Sequence, residues 1–238
     1  MTDEKLHPNQ NSIKALLESF KMASQRKRLS LLPLLEERVG ELIGLGSSLM
    51  SCFDSDICDW APGFILQLIH KNDKNFIKNI LKCDDLAWFK APSEVSIDYS
   101  SLQQYLLAEL YEDADRFTSS KLRELAGEKA VKRGYVYFSE VAAIPGIDLE
   151  TLDKLWIIYS KGKFGFTVQA KILDSLDGRY DRLWPRIGWK KDGIWTRYPN
   201  AFNWSIEAPN GHMPLINQLR GVRLMDSLLN HPALIARR

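Results

Sequence analysis

Apolar residues recur at helical spacing through the first third of the chain. Ile13, Leu16, Leu17 and Phe20 share one face of a 3.6-residue period, with Ser12 placed to cap the start. Leu34, Leu35, Val39, Leu42 and Ile43 predict a second helix that stops at Gly44 or Gly46. Two shorter helices fit Phe64 to His70 and Asn75 to Leu81. The stretch Lys90-Ala91-Pro92-Ser93-Glu94 then breaks the pattern, and a domain boundary falls there, with a helical bundle over 1–89 and a second domain over 90–238.

The second part opens on a helix pair. Asp98 is placed to cap a helix carrying Leu102, Leu106 and Leu110, and Asp113 to cap one running through Phe117, Leu122 and Leu125 to Gly127. Asp148 reads as the N-cap of a helix from Leu149 to Ser160, and another follows from about Val168 to Leu176. Between Trp184 and Pro209 the pattern turns irregular and aromatic, with Lys191-Asp192-Gly193 suited to a tight hairpin turn. A last helix is expected from Pro214, since proline is tolerated at the first helical position, to just before Pro232. The expectation is a mostly helical protein with little sheet.

That last helix raises a chemical question. On a wheel, Leu215, Leu219, Val222 and Leu229 form a core-facing side. The opposite side gathers Asn217, Arg220, Leu224 and Leu228, with Ile216 and Arg223 beside them, so it is neither a solvated charge surface nor a sealed core. Arginine stems can lie along apolar surface while the guanidinium reaches an anion, which suits a flat apolar ligand bearing carboxylates. The alternative is that these arginines pair with internal acids or cap loops. The aromatics Trp184, Trp189, Trp195, Tyr198, Phe202 and Trp204 sharpen the question. They suit an aromatic core, a surface stacking nucleic-acid bases, or one receiving a planar organic acid, and composition does not separate the two ligands.

Composition adds bounds. The chain has 238 residues, 45% hydrophobic and 26% charged, as expected of a globular protein. Its longest apolar runs, such as Leu155 to Tyr159, fall well short of the ~20 residues of a membrane span. The polar stretch from Met1 to Gln10 does not read as a signal or transit segment. A net charge of +2 gives no case for nucleic acid, although Arg186, Lys190, Lys191 and Arg197 with Arg220, Arg223, Arg237 and Arg238 make the C-terminal part basic. Cys52, Cys58 and Cys83 read as free thiols of a reducing compartment, and without a nearby histidine they do not form a zinc ligand set. His7, His70, His212 and His231 are unpaired in spacing, and the glycines of Gly162-Lys163-Phe164-Gly165 lack phosphate-loop or dinucleotide spacing. His212 fits a local hydrogen bond where the chain enters its last helix. No catalytic constellation stands out.

Three stretches carry a resemblance: DYSSLQQYLLAELYEDADRFTSSKLRELAG, LWIIYSKGKFGFTVQAKI, and LWPRIGWKKDGIWTRYPNAFNWSIEAPNGHMPLINQLRGVRLMDSLLNHP. Together they resemble the genomes-uncoupled-four family over about residues 95–232, in order and without an evident gap. The resemblance implies an all-helical fold with a cupped apolar cleft and long aromatic loops. It implies a protein that is not an enzyme, has no intrinsic cofactor, and binds protoporphyrin IX and magnesium protoporphyrin IX. By the same resemblance Phe138, Val141, Trp195, Tyr198 and Phe202 form the apolar wall, Arg220 and Arg223 meet the two propionates, and Asn217 lies near the macrocycle centre.

The implied partner is the large porphyrin-binding subunit of magnesium chelatase, stimulated by a monomer in cyanobacterial cytoplasm or plastid stroma and partly at membranes. Some positions depart from the family: Leu234 replaces a frequent aromatic, Met213 a common leucine, and Tyr198 a tryptophan found in some members. Competing expectations are an interaction or signalling module of the same fold that no longer binds porphyrin, and an enzyme acting on a tetrapyrrole.

Overall fold

The computed structural model describes residues 12–56, 58–81, 87–216 and 222–238. The fold is all-α, with one small hairpin among the described residues. Helix α1 (Ile13–Met22) starts where Ser12 accepts a hydrogen bond from the Ala15 amide at 3.2 Å, and it buries Ile13, Leu16, Leu17 and Phe20. The predicted second helix is two pieces, α2 (Gln25–Glu37) and α3 (Val39–Gly44), broken at Arg38. Arg28 of α2 ties α1 to α4 (Trp60–Asn72). Its guanidinium donates to the Phe20 and Lys21 carbonyls that α1 leaves unpaired at its end, and it pairs with Asp59, whose carboxylate also caps α4. A short α5 (Lys74–Leu81) follows.

The second half is α6 (Ser100–Leu107), α7 (Tyr111–Leu125), α8 (Glu128–Arg133), a 3-10 turn at Phe138–Ala143, and α9 (Gly146–Ile158). After these come α10 (Phe166–Asp174), α11 (Tyr180–Arg186), the hairpin β1 (Lys190–Lys191) and β2 (Ile194–Trp195), α12 (Val222–Leu229) and α13 (Pro232–Ile235). The Asp192-Gly193 turn has φ of 49° and 80°, the doubly left-handed geometry that a two-residue hairpin needs and that Asp-Gly adopts readily.

Helix α9 is the hub. Leu149, Leu152, Leu155, Trp156 and Ile158 are wholly buried, with α4, α6, α10 and α13 packed around them. Its polar residues Asp148, Thr151, Asp153 and Lys154 are therefore buried too, and each has partners, as burial of polar groups demands. Asp148 accepts from the Ser93 hydroxyl (2.5 Å), the Tyr99 hydroxyl (2.7 Å) and the Glu94 amide (3.0 Å). Asp153 accepts from the Thr167 amide and hydroxyl (2.9 and 2.8 Å) and from Arg237 (3.2 Å). Lys154 donates to the Ser55 and Asp56 carbonyls at 3.2 and 2.8 Å. From α4, the buried Gln67 amide donates to the Leu106 and Tyr159 carbonyls at 2.8 and 2.7 Å, closing the C-terminal ends of α6 and α9.

Several expectations are corrected. Asp148 is not an N-cap: α9 begins before it, and the carboxylate is committed to partners about fifty positions back in the chain. Asp113 sits inside the first turn of α7, where it complements the helix dipole rather than capping. Residues 214–216 are not helical, so Leu215 and Ile216 leave the helical wheel, and the helix is described only from Val222. His212 therefore stands well before that helix. It is buried, with Nδ1 2.7 Å from the Ile187 carbonyl oxygen and its ring against Phe202. Asn217, Arg220 and Cys83 lie outside the described residues.

Candidate functional site

The last turns of α7 lead into α8, and Gly134, left-handed at φ 83°, turns the chain back so that Tyr135 and Val136 face α7. The 3-10 turn at Phe138–Ala143 then lies against α12. Between these elements is a cavity of about 210 Å³. Leu122 and Arg123 of α7, Val136, Val141, Ile144, and Leu224 and Leu228 of α12 line it, and Tyr198 and the Leu215–Ile216 stretch close one side.

The wall is aliphatic and the edge is cationic. Arg123 makes no ion pair among the described residues, whereas Glu124 next to it pairs with Lys121. Between α12 and the 3-10 turn, the Arg223 guanidinium lies 5.6 Å from the centre of the Phe138 ring. Arg133 stacks over Tyr137 at 3.9 Å and over Tyr135 at 4.7 Å, and bonds Glu140 at 2.5 Å. That cluster fixes the loop carrying Tyr135 and Val136, since a cation held between ring faces and paired with a carboxylate has little freedom left. Tyr198 at the cavity, and Tyr137, Phe138 and Val222 in the segments that supply its lining, remain 41–46% exposed, so apolar surface adjoins the site.

Behind the wall sits Asp115, wholly buried on α7. One oxygen accepts from the Leu215 amide at 2.6 Å, while Oδ2 has no hydrogen-bond partner of acceptable geometry among the described residues. Burial pushes this carboxyl up to about 7, against the opposing pull of the Leu215 amide and the Tyr198 hydroxyl. Burial and the neighbouring Asp115 in turn push the Tyr198 phenol up to about 12.

The eight residues singled out from sequence do not share one place. Val141 and Tyr198 line the cavity, whereas Phe138 and Arg223 meet each other without lining it. Trp195, on β2, packs on Trp184 with ring centres 5.5 Å apart and lines no part of the cavity. Phe202 is 6% exposed, set behind Tyr198 against Trp204 and His212. Asn217 and Arg220 belong to the segment outside the described residues. Sequence reasoning missed Arg123, Asp115, Val136 and Ile144. Arg123 looks like ordinary surface charge within Lys121-Leu122-Arg123-Glu124, and no spacing signal separates it from its neighbours.

Comparison with known proteins adds to this geometry. The model of the GUN4-like family matches residues 92–232, which include every residue lining the cavity. The Ycf53-like protein of Synechocystis is 46% identical over 144 residues, 60% of this chain and 62% of that protein. A tetrapyrrole-binding protein of Arabidopsis thaliana chloroplasts is 38% identical over 149 residues, 59% of this chain and 56% of that one. The chain thus spans less than two thirds of the length of these two relatives. The structure of GUN4 from Chlamydomonas reinhardtii superposes with a TM-score of 0.58 at 36% identity, covering 61% of this chain and 93% of that one. With a family match over more than half of its length and the same fold in a solved relative, the chain belongs to the GUN4-like family.

Proposed function

We propose that this protein binds protoporphyrin IX or its magnesium complex at the cavity between α7, the 3-10 turn and α12, and presents it to the large subunit of magnesium chelatase. The observation that carries the reading is an aliphatic cavity edged by Arg123, which has no acidic partner among the described residues, inside the segment that matches a family with a tetrapyrrole-binding member. The cavity is smaller than the ~300–1,000 Å³ of common small-molecule pockets. A macrocycle would therefore enter by one edge and lay its remaining face on the adjoining exposed side chains, Tyr198 among them. Apolar contact at ~25 cal/mol per Å² supplies the affinity. Charge-assisted bonds of ~1.5–3 kcal/mol from Arg123, Arg220 and Arg223 to the propionates orient the ring. The chain's own work is binding and orientation; magnesium insertion belongs to the chelatase, in cyanobacterial cytoplasm or plastid stroma.

Titration with deuteroporphyrin IX, a soluble dicarboxylic porphyrin, following tryptophan quenching and the Soret band together, tests the reading. Saturable binding is expected, with Arg123→Glu and Arg220→Glu each raising the dissociation constant about tenfold or more. No saturable binding, or dissociation constants unmoved by both reversals, would rule this site out and leave an interaction module of the same fold. Chelatase turnover assayed with and without the protein addresses the second half, and an unchanged rate would remove it.

A further inference from the structure

Besides the loop of Tyr135 and Val136, which Arg133 holds, the cavity has two further non-helical walls: the loop carrying Tyr198 and the Leu215–Ile216 stretch. Neither is held by a helix ladder, so something must fix them against α7. Asp115 fixes the second of them directly, receiving the Leu215 amide at 2.6 Å across a separation of 100 positions. Tyr198, on the first, is its electrostatic neighbour. A wholly buried carboxylate with one oxygen unpaired is costly, and an apolar residue would fill α7 at lower cost. The fold tolerates that cost at the point where both loops meet the cavity.

We propose that Asp115 is the positioning residue of the ligand site, latching the Leu215–Ile216 stretch onto α7 and taking up a proton when a dianionic porphyrin enters beside it. This rests on the porphyrin reading above. The charged and titratable groups acting on Asp115 are Glu112 and Arg116 on its own helix and Tyr198 from the facing loop; Leu215 contributes only its amide. Glu112 and Arg116 oppose each other, so the carboxyl responds to new charge in the cavity. Two propionates placed nearby disfavour its ionised form, and the balance is met by one proton from solvent forming an O–H bond on the unpaired oxygen.

The sign follows from linkage. A ligand that makes Asp115 hold its proton more tightly binds better at lower pH. If it does so tenfold, affinity is about fourfold higher at pH 6.5 than at pH 8. Asp115→Asn keeps an acceptor for the Leu215 amide but cannot take up the proton. Its affinity is expected to be flat over that range relative to wild type, and at pH 8 at least equal to wild type. Asp115→Ala, which loses the latch, is expected to bind more weakly at both pH values.

Because the propionates themselves titrate, the quantity read is the ratio of wild-type to Asp115→Asn affinity for deuteroporphyrin IX at each pH. A ratio that does not change between pH 6.5 and 8 overturns the inference while leaving the porphyrin site standing. Absence of binding by wild type at either pH overturns both. If Asp115→Asn does not fold, the wild-type Asp115 carboxyl carbon can be followed by NMR with and without porphyrin. Its titration should move to higher pH on binding, and an unmoved titration overturns the proposal.

Discussion

Gly63→Val should cost the native state about 3 kcal/mol, the upper part of the range for overpacking a filled interior, seen as a lower midpoint in urea unfolding. Gly63 lies in α4 where that helix crosses α9. A Cβ built on it would stand 2.4 Å from the Ile158 carbonyl oxygen, 2.7 Å from Ile158 Cγ2 and 2.9 Å from its carbonyl carbon. Two of those atoms are backbone, so no rotamer change relieves the clash. Either α4 moves off α9, or α9, on which α6, α10 and α13 also pack, must bend. Alanine is the informative companion. At an exposed helical site Gly→Ala gains up to ~1 kcal/mol from propensity. Here Gly63→Ala should lose stability instead, and a gain would show that α4 and α9 are farther apart than described.

The second large effect is expected at Asp153, in the middle of α9. Arg237→Met should destabilise by about 3 kcal/mol near neutral pH, because it leaves Asp153 wholly buried without its counter-charge. The two hydrogen bonds from Thr167 remain, which keeps the loss from growing further. Burial raises the Asp153 pKa above its ordinary value, with the Thr167 amide and Arg237 opposing. A raised carboxyl in the native state means that ionisation costs stability as pH rises above the unfolded value near ~4. Removing Arg237 strips one of the opposing influences, so the deficit should be large at pH 7 and shrink toward pH 4. Asp153→Asn added to Arg237→Met should recover part of the loss. A deficit independent of pH, or no recovery in the double variant, would mean that Arg237 acts through packing alone.

Both effects concern contacts that sequence periodicity does not encode, and the same divide runs through the rest of the molecule. Ile13, Leu16, Leu17 and Phe20, or Leu102 and Leu106, announce helices because burial on one face imposes a local period. The hairpin at Asp192-Gly193 is legible for a similar reason, since two left-handed residues in succession suit few dipeptides. Asp148 misled because an acid ahead of an apolar run looks like a cap, whereas its partners Ser93 and Tyr99 are distant in the chain. Short helices such as α8, α11 and α13 pass unnoticed, since fewer than two turns hold too few apolar positions to show a period.

Of the residues the resemblance pointed to, Val141 and Tyr198 line the cavity, and Phe138 and Arg223 meet each other on the 3-10 turn and α12. Aromatic density alone could not separate Tyr198, on the cavity, from Phe202 behind it or Trp195 on the hairpin, because stacking on a ligand and stacking on each other call for the same residues. Asp115 was invisible for the simplest reason: the amide it holds is 100 positions away.

The enclosure of α9 also governs how the molecule opens. Its backbone amides are shielded by α4 and α6 and by α10 and α13, so local fraying of any one neighbour does not bring solvent to them. In deuterium these amides should exchange last, at a rate set by unfolding of the whole chain, while the exposed turn around Asp192 exchanges early. Gln67 carries the same coupling to the first helices, because its side chain leaves the α6 and α9 carbonyls only when α4 departs. Protection measured in α9 is therefore a readout of global stability, and a porphyrin held between α7 and α12 would register there without touching a single α9 residue.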